Sequence, residues 1–218
     1  MVYFVSSHDV YEFPVYPEFL DAPSDGAFNG VTYEQDPETL ELRATERESL
    51  NKGHTAMAHG YRVNGDKAPK KMLWEGGDKA LPDYIMRNQP AVSPRLRALI
   101  EQFEPGVHQF FPVDIYKKRN GEPVATYYWL NVCNRIDSVN EEKTTHERMR
   151  DYTGRFFWSS SRPENAKLVF SSDKIAPYHI WTDPDAPGLN YFLCSNAFAE
   201  AAQAAKFLGL ALTQKEEA

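Results

Sequence analysis

Cysteine is nearly absent: there are two in 218 residues, Cys133 and Cys194. Neither belongs to a CxxC or Cys/His ligand spacing, which excludes a disulfide framework and reads as two small buried hydrophobes in a reducing compartment. Long apolar runs are missing as well. No stretch approaches the roughly 18 residues that a spanning helix needs. Met1 to Val10 carries neither the basic nor the apolar region of a secretory signal, so a cytoplasmic protein without a membrane segment is expected. No GxGxxG opens a helix, and GxxxxGK[ST], HExxH and GxSxG do not occur, which removes the geometry of the commoner phosphate, zinc and nucleophile-elbow chemistries. No cofactor and no metal are expected. Nothing repeats at a fixed period, and no low-complexity linker divides the chain.

What is present is ordinary globular material, with hydrophobic residues at 42%, aromatics at 13% and charges at 25%. That composition excludes a disordered chain, a collagen and a coiled coil, and at this length a core needs no staples. The charge is unevenly placed. Net charge is −7, from 24 basic and 31 acidic side chains. Nine carboxylates, Asp9, Glu12, Glu18, Asp21, Asp25, Glu34, Asp36, Glu38 and Glu41, fall before Arg43, the first basic side chain of the sequence. The rest of the chain is slightly basic. A negative field repels nucleic-acid phosphates and anionic membranes, and it accelerates encounter with a basic protein. Neither direct nucleic-acid binding nor membrane binding is expected.

The pattern along the chain is α+β: a mostly antiparallel sheet around a central hairpin, with a helix before it and a C-terminal helix packed on it. Val2 to Val5 reads as a short strand, and Pro14, Pro17, Pro23 and Pro37 interrupt the stretch beyond it. Val31 to Tyr33 and Leu40 to Leu42 are candidate short strands. Leu50 to Gly77 reads as loops with at most one short helix. Ser93 is an N-cap candidate, Pro94 suits the first helical position, and Leu96, Leu99, Ile100 and Phe103 recur at helical spacing before Pro105 and Gly106 stop the helix. Val107 to Tyr116 and Val124 to Val132 form two β-rich runs around the Asn120-Gly121 turn, with an exposed basic tip at Lys117 to Arg119. Asn140 to Arg150 suits a helix or a loop, and Tyr152 to Trp158 suits a strand. Leu168 to Phe170, Tyr178 to Trp181 and Tyr191 to Leu193 read as three strands extending the hairpin's sheet. A helix from Asn196 to Leu208, capped by Ser195, is expected to stop at Gly209, and Leu210 to Leu212 then packs or frays. The natural division is an acidic, irregular segment or small subdomain over 1–80 and a core domain over 81–218.

Few residues suggest reaction chemistry. His54 and His59, five apart in a loop-like region, do not align as two zinc ligands. His108 lies in the apolar run Val107 to Val113, where a histidine is ordinarily hydrogen-bonded core. Its pairing with Cys133 as a nucleophilic dyad is the sharpest enzymatic reading, and a small-molecule enzyme is one rival function. Phe110, Phe111, Tyr127, Tyr128 and Trp129 could stack on bases. They lack interleaved arginines, so an aromatic core is the simpler reading.

The string Glu104-Pro105-Gly106-Val107-His108-Gln109-Phe110-Phe111-Pro112-Val113, succeeded by Tyr127-Tyr128-Trp129-Leu130-Asn131-Val132-Cys133 and Ile136-Asp137, resembles the signature of immunity protein family 11 of bacterial polymorphic toxin systems. The likeness spans roughly 80–212, with Pro82-Asp83-Tyr84 and the Ser93 helix upstream and the Ser195 helix with Leu208-Gly209-Leu210 downstream. It implies a non-enzymatic protein that binds and neutralises a cognate toxin, usually encoded beside it. The signature residues themselves, Glu104, Pro105, Gly106, His108, Gln109, Phe110, Phe111, Pro112, Tyr128, Asn131, Cys133 and Asp137, read as architecture. Specificity is then expected in the acidic segment: Glu12, Glu18, Asp21, Asp25, Glu34, Asp36 and Glu38 face a basic toxin, with Tyr11, Phe13, Tyr16 and Phe19 as aromatic anchors or as packing. A homo-oligomer is compatible with this reading. A regulatory domain without a toxin partner is the remaining rival.

Overall fold

The computed structural model describes residues 1–7, 18–22, 28, 30–34, 53–76, 78–86, 89–150, 156–159, 166–186 and 192–218. In chain order the described elements are β1 (Val2–Ser7), β2 (Glu18–Phe19), β3 (Thr32–Tyr33), α1 (Gly53–Ala58), β4 (Val63–Asn64), β5 (Lys71–Leu73), β6 (Tyr84–Met86), β7 (Pro90–Val92), α2 (Pro94–Phe103), β8 (Gln109–Tyr116) and β9 (Pro123–Asn131). Then come β10 (Arg148–Arg150), β11 (Phe156–Trp158), β12 (Val169–Phe170), α3 (Ser172–Ile175), β13 (Ile180–Trp181), β14 (Phe192–Ser195), α4 (Asn196–Ala205) and β15 (Leu210–Glu217). The protein is α+β and dominated by sheet.

Two sheets carry the architecture. One has six strands in the order β2-β5-β8-β9-β7-β6, and the other has five in the order β12-β15-β1-β14-β13. The β8–β9 hairpin runs from Gln109↔Asn131 to Tyr116↔Pro123 at the centre of the first. Along β9 the pleat sends alternate side chains into different cores. Tyr127 and Trp129 join Phe19, Phe28, Met72, Val113 and Ile115. Leu130 joins Val5, Leu96, Ile100, Phe192 and Phe198, so this second core lies between the hairpin, α2, α4 and the five-stranded sheet. A third core, with Val2, Phe170, Trp181 and Leu193, covers the opposite face of that sheet. The five aromatics of the hairpin are therefore divided: Tyr127 and Trp129 are buried, while Phe110, Phe111 and Tyr128 are half-buried.

Helix α2 obeys its sequence signals. The Ser93 hydroxyl accepts the Leu96 N–H, Pro94 occupies the first turn, and Leu96 and Ile100 are buried one turn apart. Beyond it, Gly106 takes φ +70°, the left-handed turn that a glycine makes at low cost. Gly65 answers a different demand, because a Cβ there would collide with the Phe111 ring.

Several expectations are corrected. The segments at 168–170, 178–181 and 191–193 supply β12, β13 and β14, and these do not extend the hairpin's sheet. They build the five-stranded sheet around β1, because their apolar faces meet Val2 and Phe4 in the third core. The C-terminal helix ends earlier than Gly209: Lys206 takes the left-handed conformation at φ 53°. Leu208 is captured beyond it, its N–H donating to the Asp83 carboxylate at 3.0 Å and its carbonyl accepting from Asp83 N at 2.7 Å. Leu210 to Leu212 packs rather than frays, and it opens an eight-residue strand paired with β1. Leu50 to Gly77 contains the expected short helix and also strands β4 and β5, short pairings that carry almost no periodic signal. The 140–150 stretch forms turns leading into β10, and the described part of the 152–158 strand is Phe156–Trp158. Residues of the 1–80 segment enter both sheets, as β1 at the centre of one and as β2 and β5 in the other. Leu40–Leu42 lies outside the described residues.

Trp129 is fully buried and its indole N–H donates to the Pro69 carbonyl at 2.7 Å. Trp129→Phe keeps an apolar ring and strands that carbonyl, so it is expected to cost about 1–3 kcal/mol. The loss should be read in urea unfolding as a lower midpoint at unchanged slope.

Candidate functional site

The signature begins on a buried carboxylate. Glu104, which caps the end of α2, is 7% exposed. Its Oε1 accepts from His179 N at 2.6 Å and Ile180 N at 3.1 Å; its Oε2 accepts from Asn134 Nδ2 at 2.8 Å and lies 2.6 Å from His108 Nε2. One side chain thereby ties α2 and the hairpin to β13 of the other sheet. Burial alone would push its pKa up. The hydrogen bonds from His108 and from the His179 and Ile180 backbone outweigh that cost and hold it below the ordinary 4.5.

His108 is orientated on both sides. The Cys133 N–H donates to its Nδ1 at 3.1 Å, so the ring proton sits on Nε2 and faces Glu104. Cys133 Sγ donates instead to the Asn131 carbonyl at 3.4 Å, and burial pushes the thiol up to about 11. The enzymatic expectation for this pair is thus corrected: histidine and cysteine are neighbours, but through the backbone amide rather than through sulfur. A protonated thiol beside an imidazole with both nitrogens engaged has no activated nucleophile to offer.

The remaining signature residues make contacts of several kinds. The Gln109 side-chain amide mimics a strand partner for Val63, accepting from its N–H at 2.9 Å and donating to its carbonyl at 3.0 Å. Asn131 Nδ2 donates to Tyr61 O and to Gln109 Oε1, both at 2.8 Å. The Arg97 guanidinium lies 4.9 Å and 4.3 Å from the centroids of Phe110 and Tyr128. Phe111 packs beside the first core, Pro112 pairs with Tyr128, Pro105 is exposed in the turn, and Asp137 faces Lys174 at 3.8 Å.

Two further buried carboxylates carry similar duties. Asp83 accepts from the Ser93 hydroxyl at 2.6 Å and from Leu208 N, fastening the start of α2 to the end of α4. Asp183 accepts from Ser138 N at 2.7 Å, Ser138 Oγ at 2.8 Å and Asp185 N at 2.9 Å; burial prevails there and its pKa is raised. Asp183 and Asn134 carry no mark in the sequence, and His179 falls inside the Tyr178 to Trp181 run that reads only as a strand. Their roles arise from backbone groups distant in sequence. His59 is buried, and among the described residues no group of three His, Cys, Asp or Glu side chains could hold a metal ion.

The acidic candidates are placed in part. Glu18 pairs with Arg119 at the hairpin tip. Asp21 accepts from Lys70 N at 2.8 Å and Lys71 N at 3.3 Å. Glu34 pairs with Arg62 at 2.7 Å, both half exposed. Each of the three is already bound to the sheet-forming part of the chain. Phe19 is core rather than anchor, 4% exposed and 5.8 Å from the Trp129 ring. Tyr11, Glu12, Phe13, Tyr16, Asp25, Asp36 and Glu38 lie outside the described residues.

The model of the immunity protein family (Imm11) matches residues 23–217. The chain belongs to that family. No curated protein matches it. The Imm11 match starts far upstream of the 80–212 stretch that carried the sequence resemblance, and the added stretch includes Phe28, Val31 and Met72 of the first core. No helix among the described residues is long and apolar enough to cross a membrane.

In this Imm11 protein the depressed pKa of Glu104 has a defined sign. Its ionised form contributes stability in full above the unfolded value near 4.5, and the contribution is lost as pH falls through the lower folded value. Glu104→Gln should therefore flatten the acid limb of the stability–pH curve. At neutral pH it should cost about 1–3 kcal/mol for each donor left facing an amide N–H. Cys133 should alkylate slowly at neutral pH, with reactivity rising towards about pH 11, and His108→Gln should leave that profile in place.

Proposed function

We propose that this immunity protein neutralises its cognate toxin by binding, with the acidic N-terminal segment laid against a basic cleft so that the toxin's active or substrate-binding surface is occluded. Family membership supports the toxin as partner. The observation that carries the surface assignment is the segregation of charge: nine carboxylates precede the first basic side chain. Such a face imitates the phosphates that a toxin acting on nucleic acid is built to hold. The partner is then basic and encoded by the adjacent gene, and inhibition takes place in the cytoplasm of the producing cell without catalysis. Glu12, Asp25, Glu34, Asp36 and Glu38, with Tyr11 and Tyr16, form the proposed contact. Glu18 and Asp21 serve it by mooring the segment to Arg119 and to the Lys70–Lys71 backbone.

Charge substitution tests this better than truncation, because removing the first forty or so residues also removes β1 from the centre of the five-stranded sheet. The protein should co-purify with the adjacent gene's product and lose it as salt rises. Neutralising Glu34, Asp36 and Glu38 together should slow association about tenfold or more at low salt and leave the fold intact. Unchanged affinity would remove the electrostatic account and keep family membership untouched.

A further inference from the structure

Among the described residues, strand β15 is paired along most of its length on one edge and at its end on the other. Its inner edge pairs with β1 from Leu210 to Lys215 in unbroken register. On the outer side β12 meets only Glu216 and Glu217. Among the described residues no strand covers the outer edge of Leu210 to Gln214. These five residues, Leu210, Ala211, Leu212, Thr213 and Gln214, contain no charge, no proline and no bulge, which are the usual means of keeping an edge from pairing. Beside them runs a groove of about 290 Å³ lined by Ala202, Gln203, Lys206, Phe207, Leu210 and Leu212. Leu210 and Leu212 share the face that looks onto α4, and both stay half-buried against the second core.

We propose that this edge pairs with the same edge of a second copy of the chain, antiparallel about a two-fold axis through Leu212, joining the two five-stranded sheets into one. The edge is self-complementary in length and in chemistry. Gly209, at φ +83°, turns the chain just before the strand, and β12 closes the edge just after Lys215. An antiparallel copy therefore bends away at its own Gly209 where β12 begins. Across the axis Leu212 meets Leu212, Ala211 meets Thr213 and Leu210 meets Gln214, so no like charges oppose. Lys215, the first charge along the strand, is folded over the Phe4 ring at 4.8 Å on the other face. The leucines of each copy fall on the groove side and fill the space left beside α4 of the other. The edge ends at Gly209 on one side and at β12 on the other, limits that a second copy matches about the axis, and this favours the second copy. The pairing uses none of the carboxylates assigned to the toxin and stands apart from that reading.

Sedimentation equilibrium of the full chain at rising micromolar concentration tests it. The mass should climb from 24.9 kDa to twice that value, and Leu212→Glu, with wild-type circular dichroism, should hold it at 24.9 kDa. Leu212→Cys should oxidise to a disulfide-linked dimer, whereas Gln214→Cys, which faces Leu210, should not; Cys133 and Cys194 are common to both variants. If the glutamate variant does not fold, the cysteine pair decides. A wild-type mass fixed at 24.9 kDa, a dimer indifferent to Leu212→Glu, or equal cross-linking in the two cysteine variants overturns the proposal. So does a monomer in which Leu212→Glu abolishes toxin binding, which would give the edge to a toxin strand.

Discussion

A carboxylate taken out of water must find donors or stay protonated, and the fold is arranged around one that finds four. Glu104 reaches two backbone amides at β13, an asparagine beyond β9 and the imidazole at the start of β8. Removing it from water is costly, and only a complete set of hydrogen bonds offsets that cost. The same set fixes how the two sheets meet, because its donors come from both. The His108 tautomer, the Cys133 amide that orients it and the position of Asn134 all serve to satisfy this one group. Two residues of the signature string, Glu104 and His108, thus belong to this joint.

Carboxylates perform two physically distinct tasks in the molecule. Glu104, Asp83 and Asp183 are buried, accept backbone N–H groups and connect segments far apart in sequence. Glu18 and Glu34 lie nearer the surface and engage Arg119 and Arg62. Exposed ion pairs of this kind add little stability because water already solvates both partners. Their effect is positional: Glu18 ties β2 to the hairpin tip, and Glu34 ties the end of β3 to the residue before β4.

A nucleophilic pairing of His108 with Cys133 was attractive, and the geometry gives a different contact. Both residue types are chemically competent, and they do come together. The atom that reaches the imidazole is a backbone nitrogen, which no spacing rule distinguishes from a thiol. Phe19 illustrates the converse: an aromatic in an acidic, proline-broken stretch resembles an interface anchor, yet its ring packs beside Trp129.

Local chemistry was sufficient for the parts that depend on local chemistry. Ser93-Pro94 with a helical apolar stripe specified α2, Asn120-Gly121 between two β-rich runs specified the hairpin, and Ser195 specified the start of α4, since caps and turns are satisfied within a few residues. The α+β class and the charge asymmetry were legible for the same reason. Sheet membership was not: a short strand such as Val169–Phe170 or Ile180–Trp181 carries too little pattern to name its neighbour, and the neighbour proved to be β15 or β14 rather than the hairpin. Nor could sequence show that Lys206 ends a helix, that Leu210–Glu217 pairs with the first strand of the chain, or that Glu104 is answered by amides some seventy-five residues away. Those outcomes were decided by which buried polar groups and apolar faces could be satisfied together, and that condition exists only once the whole chain is in place.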